Sequence, residues 1–163
     1  MTVVSTTPDP QARTLTIVAD LAAPPGQVWL LWTDPRWLER WWGPPNWPAT
    51  VTEHDVTVGG RSRYVMTGPD GTRAGGWWRF LALDEPRSLT IEDGFSGPDG
   101  EPDPAMPTVT MRLDLEPVPA GTRMTVVSRF ASTAQMEQVL ALGMAEGMSL
   151  AMGQIDAVLA DAG

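Results

Sequence analysis

The sequence predicts an α+β fold: a curved antiparallel sheet of six to seven strands wrapped around one long C-terminal helix, with two short helices after the first strand. Three observations lead there. Between residues 48 and 131, turn signals recur roughly every 8–14 residues between runs rich in β-branched and aromatic side chains, the pattern of an antiparallel meander. Val109, Met111, Leu113 and Leu115 alternate with Thr110, Arg112, Asp114 and Glu116, so the sheet has one apolar face that must be covered. Met136, Leu140, Met144, Met148, Met152, Ile155 and Leu159 then recur at helical spacing and supply the cover.

Taken in order, residues 1–12 are polar and proline-containing and read as a flexible N-terminal arm, leaving 13–163 as a single domain. "RTLTIVADL" is the first strand, with Leu15, Ile17 and Ala19 on one side. "APPGQVWLLWTDP" has prolines suited to a helix start and Val28, Leu31 and Trp32 at i, i+3 and i+4. Asp34 and Pro35 form an N-cap and first-turn pair for a second short helix carrying Leu38, Trp41 and Trp42. The meander is punctuated by Gly59-Gly60, Pro69-Asp70-Gly71, Glu85-Pro86, the acidic 97–107 loop and Pro119-Ala120-Gly121. In "GGWWRFLAL" the two faces are nearly equally apolar, so alternation leaves the inward face of residues 76–83 open. Ser132 with Gln135 is a capping-box signature for the last helix, and Gly143 and Gly147 within it call for close approach or deliberate room.

Composition narrows the function. At 163 residues with 42% hydrophobic content the chain can bury one good core and is too short for two ordinary domains. Twenty acidic residues against eleven basic ones give a net charge of −9, which disfavours nucleic acid and anionic membrane surfaces as partners. No stretch approaches the roughly 18 apolar residues of a membrane span, and no signal-peptide pattern opens the chain, so a cytoplasmic protein is expected. With no cysteine and one histidine, no bound metal is expected. All eleven basic residues are arginine, which removes Schiff-base chemistry. No nucleophile elbow, metalloprotease or phosphate-cradling motif is present, and no cofactor is expected.

"WTDPRWLERWWGPPNW" concentrates five of the eight tryptophans between Trp32 and Trp47. Each buried indole removes about 150–250 Å² from water, an upper bound of roughly 4–6 kcal/mol, so core is the first reading. Helical spacing puts Trp32, Trp41 and Trp42 in that core and leaves Trp37 and Trp47 nearer the rim of an opening. Candidates for catalysis are His54, flanked by Glu53 and Asp55, and the Glu92-Asp93 pair. Strand neighbours point to opposite faces, so neither run is a paired-carboxylate site.

The element order, together with particular residues, resembles the START-like helix-grip superfamily (SRPBCC), in the branch similar to the C-terminal domain of the activator of Hsp90 ATPase. The matching residues are Trp32 with Trp41-Trp42-Gly43-Pro44, Asp55 with Gly59-Gly60, Asp70-Gly71, Gly76 with Trp77-Trp78, Pro86 and Leu89, Gly121-Thr122, and Gly147-Met148. Seven such elements in order cover about residues 13–161. Two positions depart from the branch: Met148 stands where a tryptophan is usual, and the stretch Asp55 to Gly60 lacks the usual arginine.

The resemblance implies a ligand cavity between sheet and long helix. On that expectation the binding residues are Trp42, His54, Tyr64, Met66, Trp78, Met111, Met144, Met148 and Met152, with methionines conforming to variable apolar ligands or, alternatively, filling gaps in a closed core. Three functions follow as expectations. The first is non-enzymatic binding of a small apolar or aromatic molecule. The second is a cyclase- or aromatase-like enzyme in which His54, Tyr64 or an arginine assists proton transfer. The third is a co-chaperone-like interaction module, with a protein partner or a homodimer.

Overall fold

The computed structural model describes the backbone of residues 3–162 and the side chains of 5–161. Eight strands form one antiparallel sheet: β1 (Val3–Asp9), β2 (Thr14–Leu21), β3 (Ala49–His54), β4 (Arg61–Thr67), β5 (Arg73–Asp84), β6 (Ser88–Phe95), β7 (Val109–Val118) and β8 (Gly121–Phe130). Their spatial order is β1-β2-β8-β7-β6-β5-β4-β3. Five hairpins run from β3 to β8, and β8 then pairs with β2, so the first predicted strand closes against the last.

The strand count exceeds expectation by the edge strand β1, which takes up residues 3–9 of the flexible arm predicted for 1–12; residues 1 and 2 lie outside the described residues. Val3 to Asp9 pair with Ala19 to Thr14, and the Asp9 carboxylate accepts from the backbone N–H groups of Gln11 and Ala12 to close the turn. The segment carries no strand signal because its residues from Ser5 to Asp9 are all exposed, leaving no apolar alternation, and because Pro8 is tolerated only on an edge.

The helices behave locally as their sequences dictate. α1 (Pro25–Thr33) buries Val28, Trp29, Leu31 and Trp32. In α2 (Pro35–Trp41), the Asp34 side chain accepts from Arg36 N–H at 3.0 Å and caps the first turn. The C-terminal helix spans residues 133–162 as three consecutive segments, α3 (Thr133–Ala141), α4 (Met144–Met152) and α5 (Ile155–Ala162). Ser132 caps α3 through Gln135 N–H at 3.1 Å. The first interruption lies at Gly143, whose φ of 89° is left-handed and ends one helical run before the next begins.

The core lies between the inner sheet face and these helices. Leu15, Ile17, Ala19, Leu89, Ile91, Val109, Met111, Leu113 and Leu115 all point into it, as the alternation required. On β5 the inward face is Gly76, Trp78 and Phe80, while Arg79 and Leu81 face out. A register shift between Phe80 and Ala82 leaves Leu81 and Ala82 both exposed, so strict alternation ends at Phe80.

Candidate functional site

Most of the tryptophans are structural. Trp32 and Trp41 are fully buried and Trp42 nearly so, with Trp32–Trp41, Trp41–Trp42 and Trp42–Trp78 ring centroids 4.9, 5.5 and 4.8 Å apart in edge-to-face arrangements. Such pairs add about 0.5–1.5 kcal/mol each beyond area burial. Trp41 Nε1 donates to Leu31 O at 2.9 Å, and Trp32 Nε1 to Met124 Sδ at 3.4 Å. Trp42 Nε1 and Trp78 Nε1 are buried with no acceptor at hydrogen-bonding geometry among the described residues. Trp37 and Trp47 are half-buried as expected of rim residues, yet neither borders the cavity described below, and Trp47 packs instead over Gly68.

The two unsatisfied indoles flank one polar pair. Tyr64 on β4 donates its hydroxyl to Asp93 Oδ1 on β6 at 3.0 Å, spanning the intervening strand β5. Gly76 makes that span possible, because a Cβ there would overlap the Tyr64 hydroxyl and ring. Burial pushes the Asp93 carboxyl up to about 7, opposed by the Tyr64 hydroxyl, the Trp78 indole and the Gly94 backbone N–H. Burial, then the neighbouring Asp93 charge, raises the Tyr64 phenol well above its usual range. Glu92, the neighbour of Asp93, borders a separate hollow with Arg61 and Arg79 on the other side of the sheet, as strand geometry requires.

Asp93 opens onto a cavity of about 200 Å³ between the sheet and α3–α4. Its sheet side is Met66, Asp93, Gly94, Phe95 and Val109. Val139, Leu142, Met144, Gly147 and Met148 form the helix side, and Trp42 with Pro44 closes one end. Among the described residues, Asp93 is the only charged side chain that lines it. Three other hollows, of about 450–650 Å³, carry two or more charged groups each, such as Arg63, Arg73 and Asp103, or Glu53, Arg61 and Glu92. Room beside the helix comes from Gly147, where an added Cβ would meet nothing nearer than Pro44 Cγ at 4.0 Å.

Of the nine residues expected to bind, Trp42, Met66, Met144 and Met148 border this cavity. Tyr64 and Trp78 stand behind it, against Asp93 and Trp42. Met111 and Met152 are 1% and 0% exposed and pack in the core away from it.

His54 is elsewhere. Its Nε2 lies 3.0 Å from Trp32 O, a group that only accepts, so Nε2 carries the proton and Nδ1 accepts from the Ser62 hydroxyl at 2.8 Å. Burial lowers its pKa below the usual histidine range. With both ring nitrogens occupied by the fold and Trp78 and Phe80 against its ring, His54 ties β3 to α1. The charged cavity residue that the expected binding set lacks is Asp93. Its position one strand from Gly76 and two from Tyr64 is the available signal, and it needs the β4–β6 register to be read.

The model of the family described as "activator of Hsp90 ATPase homolog 1-like protein" matches residues 22–160. The chain belongs to that family. Among solved structures, the chain is 48% identical to an Arthrobacter aurescens protein determined by solution NMR, covering 98% of this chain and 93% of that one, with a TM-score of 0.94. A Mycobacterium smegmatis crystal structure is 44% identical with 96% of each chain covered and a TM-score of 0.89. A Rhodobacter sphaeroides crystal structure is 28% identical over 96% of this chain and 98% of that one, at 0.82. None of the curated proteins matches this chain. The helix-grip architecture inferred from the motifs is therefore the fold, and the motif glycine Gly76 has its physical role in the Tyr64 crossing. Among the described residues, no helix is long and apolar enough to cross a membrane, and no group of three or more metal-ligating side chains occurs.

Proposed function

We propose that this member of the activator of Hsp90 ATPase homolog 1-like family binds a small apolar or aromatic molecule in the cavity between β4–β7 and α3–α4. One observation carries the reading: the cavity is walled by methionine, tryptophan, valine and leucine and holds a single charged group at its floor. Apolar cavities of about 150 Å³ take up benzene, so about 200 Å³ suits one aromatic ring or a short alkyl chain. Met66, Met144 and Met148 let the walls adjust to shape.

Titration of isotopically labelled protein with toluene, followed by NMR, tests the proposal. The expected result is saturable shifts confined to Met66, Met144, Met148 and their neighbours. Shifts scattered over the surface, or none up to the solubility of toluene, would end it.

The cyclase-like reading would be favoured by an interior His54 beside Tyr64, and the occupied ring nitrogens of His54 withhold that support. The interaction-module reading would be favoured by a filled cavity with exposed Trp37 or Trp47, and the half-buried state of both gives it little support. A cytoplasmic setting fits the cysteine-free composition.

A further inference from the structure

The cavity has one polar feature, and its chemistry selects among apolar ligands. A carboxylate offers about four acceptor positions; the Tyr64 hydroxyl takes one, on Oδ1, and the Trp78 indole and the Gly94 backbone N–H stand beside it, leaving room for a further donor from the cavity. No ion pair among the described residues includes Asp93; the arginines that form ion pairs do so with Asp20, Asp34, Glu53, Asp84, Glu101, Asp114 and Asp161. A carboxyl without a cation, at the floor of an otherwise apolar cavity, is costly unless something with a donor or a positive charge completes it.

We infer that the site is built for a primary amine carried on an apolar or aromatic body, the ammonium seated on Asp93 and the body lying against Trp42, Met66, Met144 and Met148. The inference rests on the binding reading above and adds the class of ligand to it. Three further features favour a cation over an anion or a plain hydrocarbon. The Trp42 indole borders the cavity, and its ring face attracts cations once they are desolvated. The net charge of −9 raises the local concentration of cationic ligands and repels carboxylates. Size agrees as well, since a benzyl group with one ammonium fits a space slightly larger than one that holds benzene.

Oxygen and nitrogen heads on one ring separate this inference from the general one. Benzylamine, toluene and benzoate would be titrated into the protein at pH 8, where both the amine and most of Asp93 are charged, with affinities read by NMR shifts or calorimetry. Benzylamine should bind at least about tenfold tighter than toluene, as expected for a hydrogen bond to a charged group, and benzoate weakest of the three. In Asp93→Asn the ratio of benzylamine to toluene affinity should fall toward one. Tyr64→Phe, which removes the competing donor and keeps the carboxyl, should preserve the amine preference.

If toluene binds but benzylamine holds no advantage, or if the advantage survives in Asp93→Asn, the amine inference is overturned and the apolar-binding reading stands. If none of the three binds, both fall together. Should Asp93→Asn not fold, the wild-type titration decides: the amine must shift the Gly94 and Phe95 amides beyond what toluene does, and equal shifts reject the inference.

Discussion

Tyr64 reaches Asp93 across a whole strand, its hydroxyl 3.0 Å from Oδ1, because Gly76 on β5 leaves the space its ring occupies. Three strands thus meet at one hydrogen bond, and the strands on either side position a carboxyl at the floor of the cavity. A side chain at position 76 would collide with the ring itself, since its Cβ would overlap both the hydroxyl oxygen and Cζ of Tyr64. Gly76→Ala should therefore displace Tyr64 and cost about 1–3 kcal/mol, the usual range for overpacking. A denaturant melt reads the loss, and a variant as stable as the parent would show that the ring has somewhere else to go.

The acidity of Asp93 gives a stability signature. Its folded pKa of about 7 lies above the ordinary value of 3.8, so the folded state holds this proton more tightly than the unfolded state. The sign follows: this group's contribution is most favourable at low pH, is lost as pH rises through about 7, and is constant above that. Asp93→Asn keeps an acceptor for Tyr64 and removes the charge. The variant should be more stable than the parent at pH 8 by about 1–2 kcal/mol, a figure discounted for the residue's partial exposure, with the gap closing by about pH 4.5. Parallel thermal melts across that range check it; a gap independent of pH would mean the carboxyl does not titrate as described.

His54 carries the opposite sign. Its pKa is lowered by burial, so its contribution is present above the unfolded value near 6.5 and is lost as pH falls below it. His54→Phe strands the fully buried Ser62 hydroxyl and removes the proton donor to Trp32 O. A loss of about 1–3 kcal/mol is expected at pH 8, and a smaller one at pH 5, where the parent has already given up part of this stability. Ligand affinity at pH 8 should be little changed, because His54 does not border the cavity. A variant that folds normally and loses toluene binding would restore His54 to the site.

How far the sequence carried depends on the kind of signal each feature left. The fold was legible in Val109 to Leu115, in the Ser132–Gln135 cap and in the tryptophan spacing, because each is a local periodic pattern whose physics is settled within a few residues. β1 was not, since its residues from Ser5 to Asp9 are exposed and so leave no alternation. The site was harder. Trp42, Met66, Met144 and Met148 were reachable as inward positions on elements already identified, whereas the Glu92-Asp93 run, a candidate for catalysis with its two members on opposite faces, left open which of them faces inward until cross-strand register set Asp93 opposite Trp78 and Val109. Met111 and Met152 show the limit from the other side: an inward methionine is not thereby a cavity methionine, and depth along the strand or helix decides which it is.

Met148 offers the sharpest test of the cavity. Its side chain is 9% exposed, borders the cavity from α4, and stands where the resemblance to the family leads one to expect tryptophan. Gly147 beside it leaves open space, so a larger ring at position 148 has volume to enter without displacing the sheet. Met148→Trp should consequently cost little stability, under about 1 kcal/mol, because the indole recovers apolar burial as it fills the void. It should also abolish toluene binding by occupying the same space. The two readouts constrain each other: a melt beside a toluene titration of parent and variant separates an open cavity from a filled core. If the variant instead loses about 1–3 kcal/mol, the space is already taken, overpacking explains the loss, and the methionines return to being gap-fillers beneath the helix.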